Sequence, residues 1–463
     1  MNQKIVFTFF SVQKYYTFII GFNDEHFDIE LSNLIMDFII TFGGSISPPN
    51  IVNLNCTIKK TEELDEKVNY FINKHKSKFP QINKINDYLK SIKSNDYFYI
   101  LPQDIKEIPQ KNQHMIANEL ICLNNPNINL DELNQEFNYF FGDVIESYSI
   151  KIVDHEKKIR IGEKDKQKRI CRFCKKSDPQ TTFKKIAHAI PESLGNKNII
   201  LNEECDECNE YFSKTLEKDF LTYFRFFNTF YQIKNKSNSI PKIKQKQFSV
   251  RHIDSNDPNN KKILEDAQKV SQHPIDIDID NFYVIMAHME DNDSKTLSDA
   301  PPTISLKSDD KLTEQNLYKA LVKFSLSILD TNLLVKFSNT LEWVRDNDNF
   351  KEKLPQISML LNPHKIEKIP KMIIYMRNNE GKNLPYAIGE FHYTCFTFVF
   401  IIPTFNDELD FSNELNFENF KNFFKIYQFD KRQWTYLNWI SSVPENFVFN
   451  MNFKPNSEKE KRP

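Results

Sequence analysis

Near its start the chain carries two apolar runs, from about Ile5 to Phe10 and from Tyr16 to Phe22, separated by Ser11, Gln13 and Lys14. Their length and their flanking polar residues predict a pair of strands. The pattern then changes to a helical period. Thr61 stands where a helix cap is expected, with Glu62 and Glu63 in the first turn and Leu64, Val68, Phe71 and Ile72 at helical spacing. A second helical stripe runs from Asp131 to Tyr148 through Leu133, Phe137, Phe140, Phe141, Val144 and Ile145, and reads as a core face. A third, rich in phenylalanine (Phe220, Phe224, Phe227, Phe230), predicts a long bracing helix. Thr313 to Leu329 has the period of an amphipathic helix, and Asn378 to Gly381 that of a turn between β-rich runs. Residues 290–310, rich in Asp, Ser and Pro, read as a mobile loop, and residues 454–463 as a disordered tail.

At 463 residues this mixture predicts an α+β multidomain chain. The expected divisions are a mixed α/β unit over 1–150, a basic linker over 151–169, a small cysteine-bearing module with its bracing helix over 170–235, a further α/β unit over 248–453, suited to sensing or targeting, and the tail over 454–463. Hydrophobic residues at 40% and charged residues at 27% match folded proteins and exclude wholesale disorder. The longest late apolar run, Phe396 to Ile402, falls far short of the roughly 20 residues that cross a bilayer, so no membrane partner is expected.

A net charge of -2 gives no global attraction to nucleic acid, so such a role needs a local basic surface. Lys151 to Lys185 supplies a candidate, with Lys157, Lys158, Arg160, Lys164, Arg172, Lys175, Lys184 and Lys185 among its cations. A solvated linker would have the same composition. Of the 7 cysteines, Cys56, Cys122 and Cys395 are scattered and read as small buried hydrophobes in a reducing cytoplasm.

The other four carry the chemistry. Cys171 and Cys174 form one C-x-x-C pair, and Cys205 and Cys208 a second. Two such pairs supply four thiolates for a closed, tetrahedral and therefore structural Zn²⁺ site. Between them lies His188, at the end of the strand-like run from Phe183 to Ile190 and followed by Pro191. Glycine occurs only 8 times, yet Gly195 falls just after this histidine, where a tight turn with positive φ is expected. Asn196, Asn198 and Asn202 are placed to fasten that turn by side-chain hydrogen bonds.

The CRFC pair, the HAIPESLGN stretch and the CDECNEYFS pair together resemble the HNH (His-Me finger) endonuclease family, in the subgroup with two zinc knuckles, over about Ile170 to Glu217. The helix YKALVKFSLSIL also resembles one found downstream of the finger in larger members. The resemblance implies a central ββα-metal, treble-clef-like finger. It makes His188 the general base that deprotonates water, Asn198 or Asn196 the residue that holds the His188 loop, and Asn209 a ligand of a catalytic Mg²⁺ or Mn²⁺ ion. A helix N-cap is the competing role for Asn209.

Ala187 stands where many members place a ligand, and Ser213 follows Asn209 by one helical turn. Glu217 lies eight residues beyond Asn209, roughly 12 Å along a helix and too far to share an ion with it. Water, substrate or a nearby carboxylate such as Glu192 or Glu204 would then complete the shell. Glu192 and Glu217 read first as exposed, solvated carboxylates.

The expected activity is hydrolysis of phosphodiester bonds in DNA, with RNA sharing the same chemistry, and Lys184, Lys185, Arg172 and Lys175 as phosphate-contacting residues. By analogy with the family, the expectation extends to a bacterial antiviral defence effector in the cytoplasm, to a homodimer and to an activating ligand or partner protein. The competing reading is a non-catalytic zinc module that binds nucleic acid or a protein.

Overall fold

The structure, a computed structural model, describes residues 3–22, 29–48, 51–153, 158–235, 237–244, 248–252, 283–287, 303–345, 354–362, 365–378, 384–406 and 414–452. Residues 290–302, 379–381 and 454–463, for which a loop, part of a turn and a tail are expected, lie outside the described residues, as does Lys157. Among the described residues no helix is long and apolar enough to cross a membrane. The chain divides into two compact units, one of residues 1–146 with 424–426, the other of 147–423 with 427–463.

In the first unit, β1 (Gln3–Phe10) and β2 (Tyr15–Phe22) pair as an antiparallel hairpin. After α1 (Ile29–Thr41) and the small hairpin of β3 (Ser45–Ser47) and β4 (Ile51–Asn53), β5 (Thr57–Lys59) leads into α2 (Glu62–His75). Thr61 does cap α2, its side chain accepting from the Leu64 N–H at 3.2 Å. Then come α3 (Asn83–Leu89), β6 (Tyr97–Leu101) and α4 (Gln110–Asn124), and the sheet runs β2-β1-β6-β5. Phe7, Phe9, Phe18, Phe38, Phe71 and Phe98 fill the core beneath it. The stripe expected over 131–148 breaks into α5 (Leu130–Phe137), a wide turn and α6 (Asp143–Ser147). Only Val144 and Ile145 of that stripe are buried; Leu133, Phe137, Phe140 and Phe141 are half-buried.

The second unit opens with β7 (Tyr148–Ile152), which joins the edge of a six-stranded antiparallel sheet. Next come β8 (Ile159–Ile161), β9 (Ala187–His188) and β10 (Ile199–Leu201), a separate three-stranded sheet ordered β8-β10-β9. They are followed by α7 (Asp206–Lys214) and α8 (Leu216–Phe230). The strands β11 (Ile243–Lys244), β12 (Phe248–His252) and β13 (Tyr283–Ala287) form a small antiparallel sheet. After β14 (Thr303–Leu312), α9 (Glu314–Ile328) and α10 (Ser338–Val344) come β15 (Ile357–Leu361), β16 (Glu367–Arg377), β17 (Ala387–Thr394) and β18 (Phe396–Ile401). The chain continues through α11 (Glu414–Phe423) to β19 (Trp434–Leu437) and β20 (Glu445–Asn452). The large sheet runs β19-β15-β18-β17-β16-β7.

One hydrophobic core joins the cysteine module to this sheet. Phe220 and Phe224 of α8 pack against Phe391, Tyr393, Phe396 and Phe398 of the sheet and Phe324 of α9, with ring centroids 5.1 to 6.1 Å apart. The amphipathic pattern of α9 is misleading, because Lys319, Lys323, Ser325 and Ser327 on its polar side are buried as well. A helix buried all round must satisfy its polar groups inside the protein. Of the scattered cysteines Cys395 is buried, but Cys56 is exposed and Cys122 half-buried.

Candidate functional site

The first knuckle is a tight backbone turn. Cys171 N–H donates to Lys176 O at 2.9 Å and Lys175 N–H to Cys171 O at 2.8 Å, and the turn drives Lys175 to a φ of 61°. The second knuckle is the start of α7: Cys205 occupies the cap position, its Sγ accepting from the Cys208 N–H at 3.5 Å. The Cys205 N–H points across to Cys171 Sγ at 3.5 Å, which ties the two turns together. Asp206 fastens the chain between them, accepting from Thr182 Oγ1 and from the backbone N–H groups of Lys184 at 3.0 Å and Lys185 at 2.8 Å.

All four Sγ atoms lie within 4.8 Å of one another, with Cys174 and Cys205 at 3.6 Å. Tetrahedral zinc with Zn–S bonds of about 2.3 Å needs sulfurs about 3.8 Å apart, so the thiols are gathered to nearly the required size. Their crowding has an electrostatic consequence. Hydrogen bonds with Cys171 and Cys208 pull the Cys205 thiol far down, the contacts with Cys171 and Cys205 push Cys208 up, and the contact with Cys205 pushes Cys171 up to about 12. The donor set is therefore that of structural zinc.

Between the knuckles, β9 pairs antiparallel with β10, His188 opposite Ile200 and Ala187 opposite Leu201. His188 is half-buried at the end of its strand, and its Nε2 lies 3.9 Å from Glu192 Oε2. Ala187 is buried. The loop back to β10 turns at Gly195, whose φ of 92° and whose approach to Lys368 O, 2.9 Å from where a Cβ would sit, both require glycine.

Asn196 holds this loop. Its Nδ2 donates to Ile190 O at 2.7 Å and to Ile199 O at 3.3 Å, and its Oδ1 accepts from the N–H groups of Asn198 at 3.2 Å and Ile199 at 3.0 Å. These four bonds place the Asn196 side chain in the loop-holding position; the Asn198 carbonyl accepts from Ile159 N–H at 2.9 Å. Asn209 is not a helix cap, since Cys205 is. It lies within α7, half-buried, with its N–H donating to Cys205 O at 2.9 Å.

The expected phosphate-binding cations separate into two kinds. Lys175, Lys184 and Lys185 are exposed, with Lys185 Nζ 3.2 Å from Glu210. Arg172 is fully buried instead: its Nη1 donates to Leu326 O at 2.8 Å, Ser327 O at 3.1 Å and Leu329 O at 3.0 Å, and its Nη2 to Glu203 Oε2 at 2.9 Å. It thus satisfies the orphan carbonyls at the C-terminal end of α9, where the helix dipole favours a cation. Glu203 also accepts from Thr331 Oγ1 at 2.7 Å and from Glu163 N–H at 2.9 Å, so burial fails to raise its pKa and the net shift is downward.

Neither Glu204 nor Glu217 is a free carboxylate. Lys323 of α9, fully buried, sits 3.1 Å from Glu204 Oε2 and 2.8 Å from Glu217 Oε1. Its Nζ also lies within 5.4 to 6.0 Å of the ring centres of Phe212, Phe173 and Phe324. Burial pushes Glu204 up to about 7, and works against the Lys323 charge too, but the two carboxylates outweigh it and hold the lysine cationic. Among the described residues the thiols are the one group of three or more His, Cys, Asp or Glu side chains whose ligand atoms are close enough to hold a metal ion.

The site is therefore a cluster of four thiols, placed to hold a metal ion, beside a histidine-bearing hairpin and a helix. Residues 171–225 match the model of the HNH endonuclease family, which covers both knuckles, the His188 hairpin and most of α8. The resemblance read from the cysteine and histidine motifs is borne out over this segment. No curated protein and no solved structure matches the chain.

Proposed function

We propose that this segment is a ββα-metal nuclease finger that hydrolyses phosphodiester bonds in DNA, with His188 as general base. The observation that carries the reading is the placement of His188: at the end of β9, opposite β10, in a loop clamped by Asn196 and leading through the thiol cluster into α7. A half-buried imidazole at a strand end can take the proton of a water that attacks phosphorus, the role a general base fills. The Glu192 carboxylate 3.9 Å from Nε2 favours the imidazolium that results.

Glu192 and Asn209 are the oxygen donors suited to a catalytic Mg²⁺ or Mn²⁺. With so sparse a protein shell, water and the scissile phosphate would supply most of the coordination, as is usual for magnesium. When bound, the ion would stabilise charge on the leaving oxygen. The chain's own work is to position the base, fix the hairpin through zinc and Asn196, and offer Lys184, Lys185 and Lys175 to the flanking phosphates.

The test is cleavage of supercoiled plasmid with Mg²⁺ or Mn²⁺, comparing wild type with His188→Ala after confirming that both retain zinc. Metal-dependent nicking that falls at least about 10²-fold in the variant supports the assignment. Equal cutting by both proteins removes His188 from the role. The buried Ala187, which offers no ligand beside the base, favours the non-catalytic zinc module, and DNA binding without cutting under every metal condition would establish that reading instead.

A further inference from the structure

Resting on the nuclease reading, we infer that Arg160 is a positioning residue that grips a phosphate of the nucleic-acid backbone next to the one being cut. The inference comes from strand register. In the sheet β8-β10-β9, Arg160 is paired with Ile200, and Ile200 with His188. Residues paired directly across strands project from the same face of a sheet, so Arg160 and His188 share one face. The opposite face is the core side, carrying Ile161, Ile199, Leu201 and Ala189.

On the shared face the intervening Ile200 is buried, His188 is half-buried and Arg160 is exposed. With strands about 4.8 Å apart, two steps separate the backbones of Arg160 and His188 by about 10 Å. A separation of that size suits a strand laid across the sheet from β9 to β8, with His188 at one phosphate and Arg160 at its neighbour.

Arg160 is also available. Its guanidinium makes no ion pair among the described residues, whereas Arg172 is consumed inside the protein and Lys185 faces Glu210. Arg169, the neighbouring guanidinium, is buried and committed to the carbonyls of Glu163 and Lys164 at 3.0 Å each. Burial lowers the Arg169 pKa, and the charge of Arg160 lowers it further, so the two cations are close enough to feel each other. An anion at Arg160 relieves that repulsion. Lys158, also exposed, lies two residues earlier and extends the cationic edge. A planar, permanently charged fork is the side chain best matched to phosphate oxygens.

The experiment measures binding of a fluorescein-labelled DNA duplex by anisotropy across a salt series without added divalent ion, and steady-state plasmid cleavage with Mg²⁺, for wild type, Arg160→Ala and Arg160→Lys. The alanine variant is expected to bind about tenfold more weakly at low salt, with a slope of log K against log salt shallower by about 1. KM should rise while kcat holds, and lysine should restore the slope. A slope and affinity unchanged in Arg160→Ala overturn the inference. A slope shallower in Arg160→Ala, where the wild type binds but never cuts, leaves Arg160 as a backbone anchor and sinks the hydrolytic reading alone. Absence of wild-type binding overturns both.

Discussion

Replacing Lys323 by methionine removes one buried charge while keeping nearly the same volume. In the native protein this ammonium lies 3.1 Å from Glu204 and 2.8 Å from Glu217, with all three residues buried. At an effective dielectric constant of about 20, each contact at roughly 3 Å represents about 5 kcal/mol of attraction, set against the cost of burying three ions. Breaking such a group by removing one partner costs about 3–5 kcal/mol, because two carboxylates are left facing each other and one must take up a proton. The expected result for Lys323→Met is thus a loss of about 3–5 kcal/mol in unfolding of the second unit. The triple variant with Glu204→Gln and Glu217→Gln should recover most of it.

With two compact units a single global unfolding curve is ambiguous, so zinc release to a chromogenic chelator supplies the local readout. Glu204 immediately precedes Cys205, and release should accelerate in the single variant and slow again in the triple. A Lys323→Met protein within about 1 kcal/mol of wild type, with unchanged zinc release, would refute the claim that this network is desolvated.

Purified protein is expected to hold one zinc per chain by elemental analysis, and Cys208→Ser should lose it together with the protease resistance of the finger, since the metal supplies much of a small module's folding energy. Zinc-free wild type, purified without chelator, would overturn the site. Asn196→Ala removes four hydrogen bonds from a buried loop and should destabilise it by about 1–3 kcal/mol, lowering kcat more than it raises KM, while Asn198→Ala has the smaller effect. The reverse order of the two variants in plasmid cleavage would return the loop-holding role to Asn198.

Much of the site was legible from the chain because its chemistry is local. Each knuckle is a four-residue turn, and the spacing C-x-x-C fixes where two sulfurs can point whatever surrounds them. Gly195 was readable for the same reason: a short loop between paired strands demands a positive φ, and it has one. Asn196 and Asn198 could not be separated by sequence, because which amide reaches Ile190 O and Ile199 O depends on the path of the turn between them. The cap of α7 lies four residues earlier than Asn209, since cysteine is not a usual cap and the thiol cluster brings Cys205 Sγ to the Cys208 N–H.

What sequence alone determined, then, was the mixed α/β character, the thiol cluster, the histidine between the knuckles and the family to which residues 171–225 correspond. Tertiary structure alone decided which charges are free to work. Arg172 meets its carbonyl partners more than 150 residues away, Lys323 meets Glu217 across 106, and Arg160 acquires its relation to His188 through the register of three strands. A charged side chain reads the same in a sequence whether it faces water or closes a buried helix end. The difference lies in desolvation and in partners brought together by the fold, and neither leaves a local pattern along the chain.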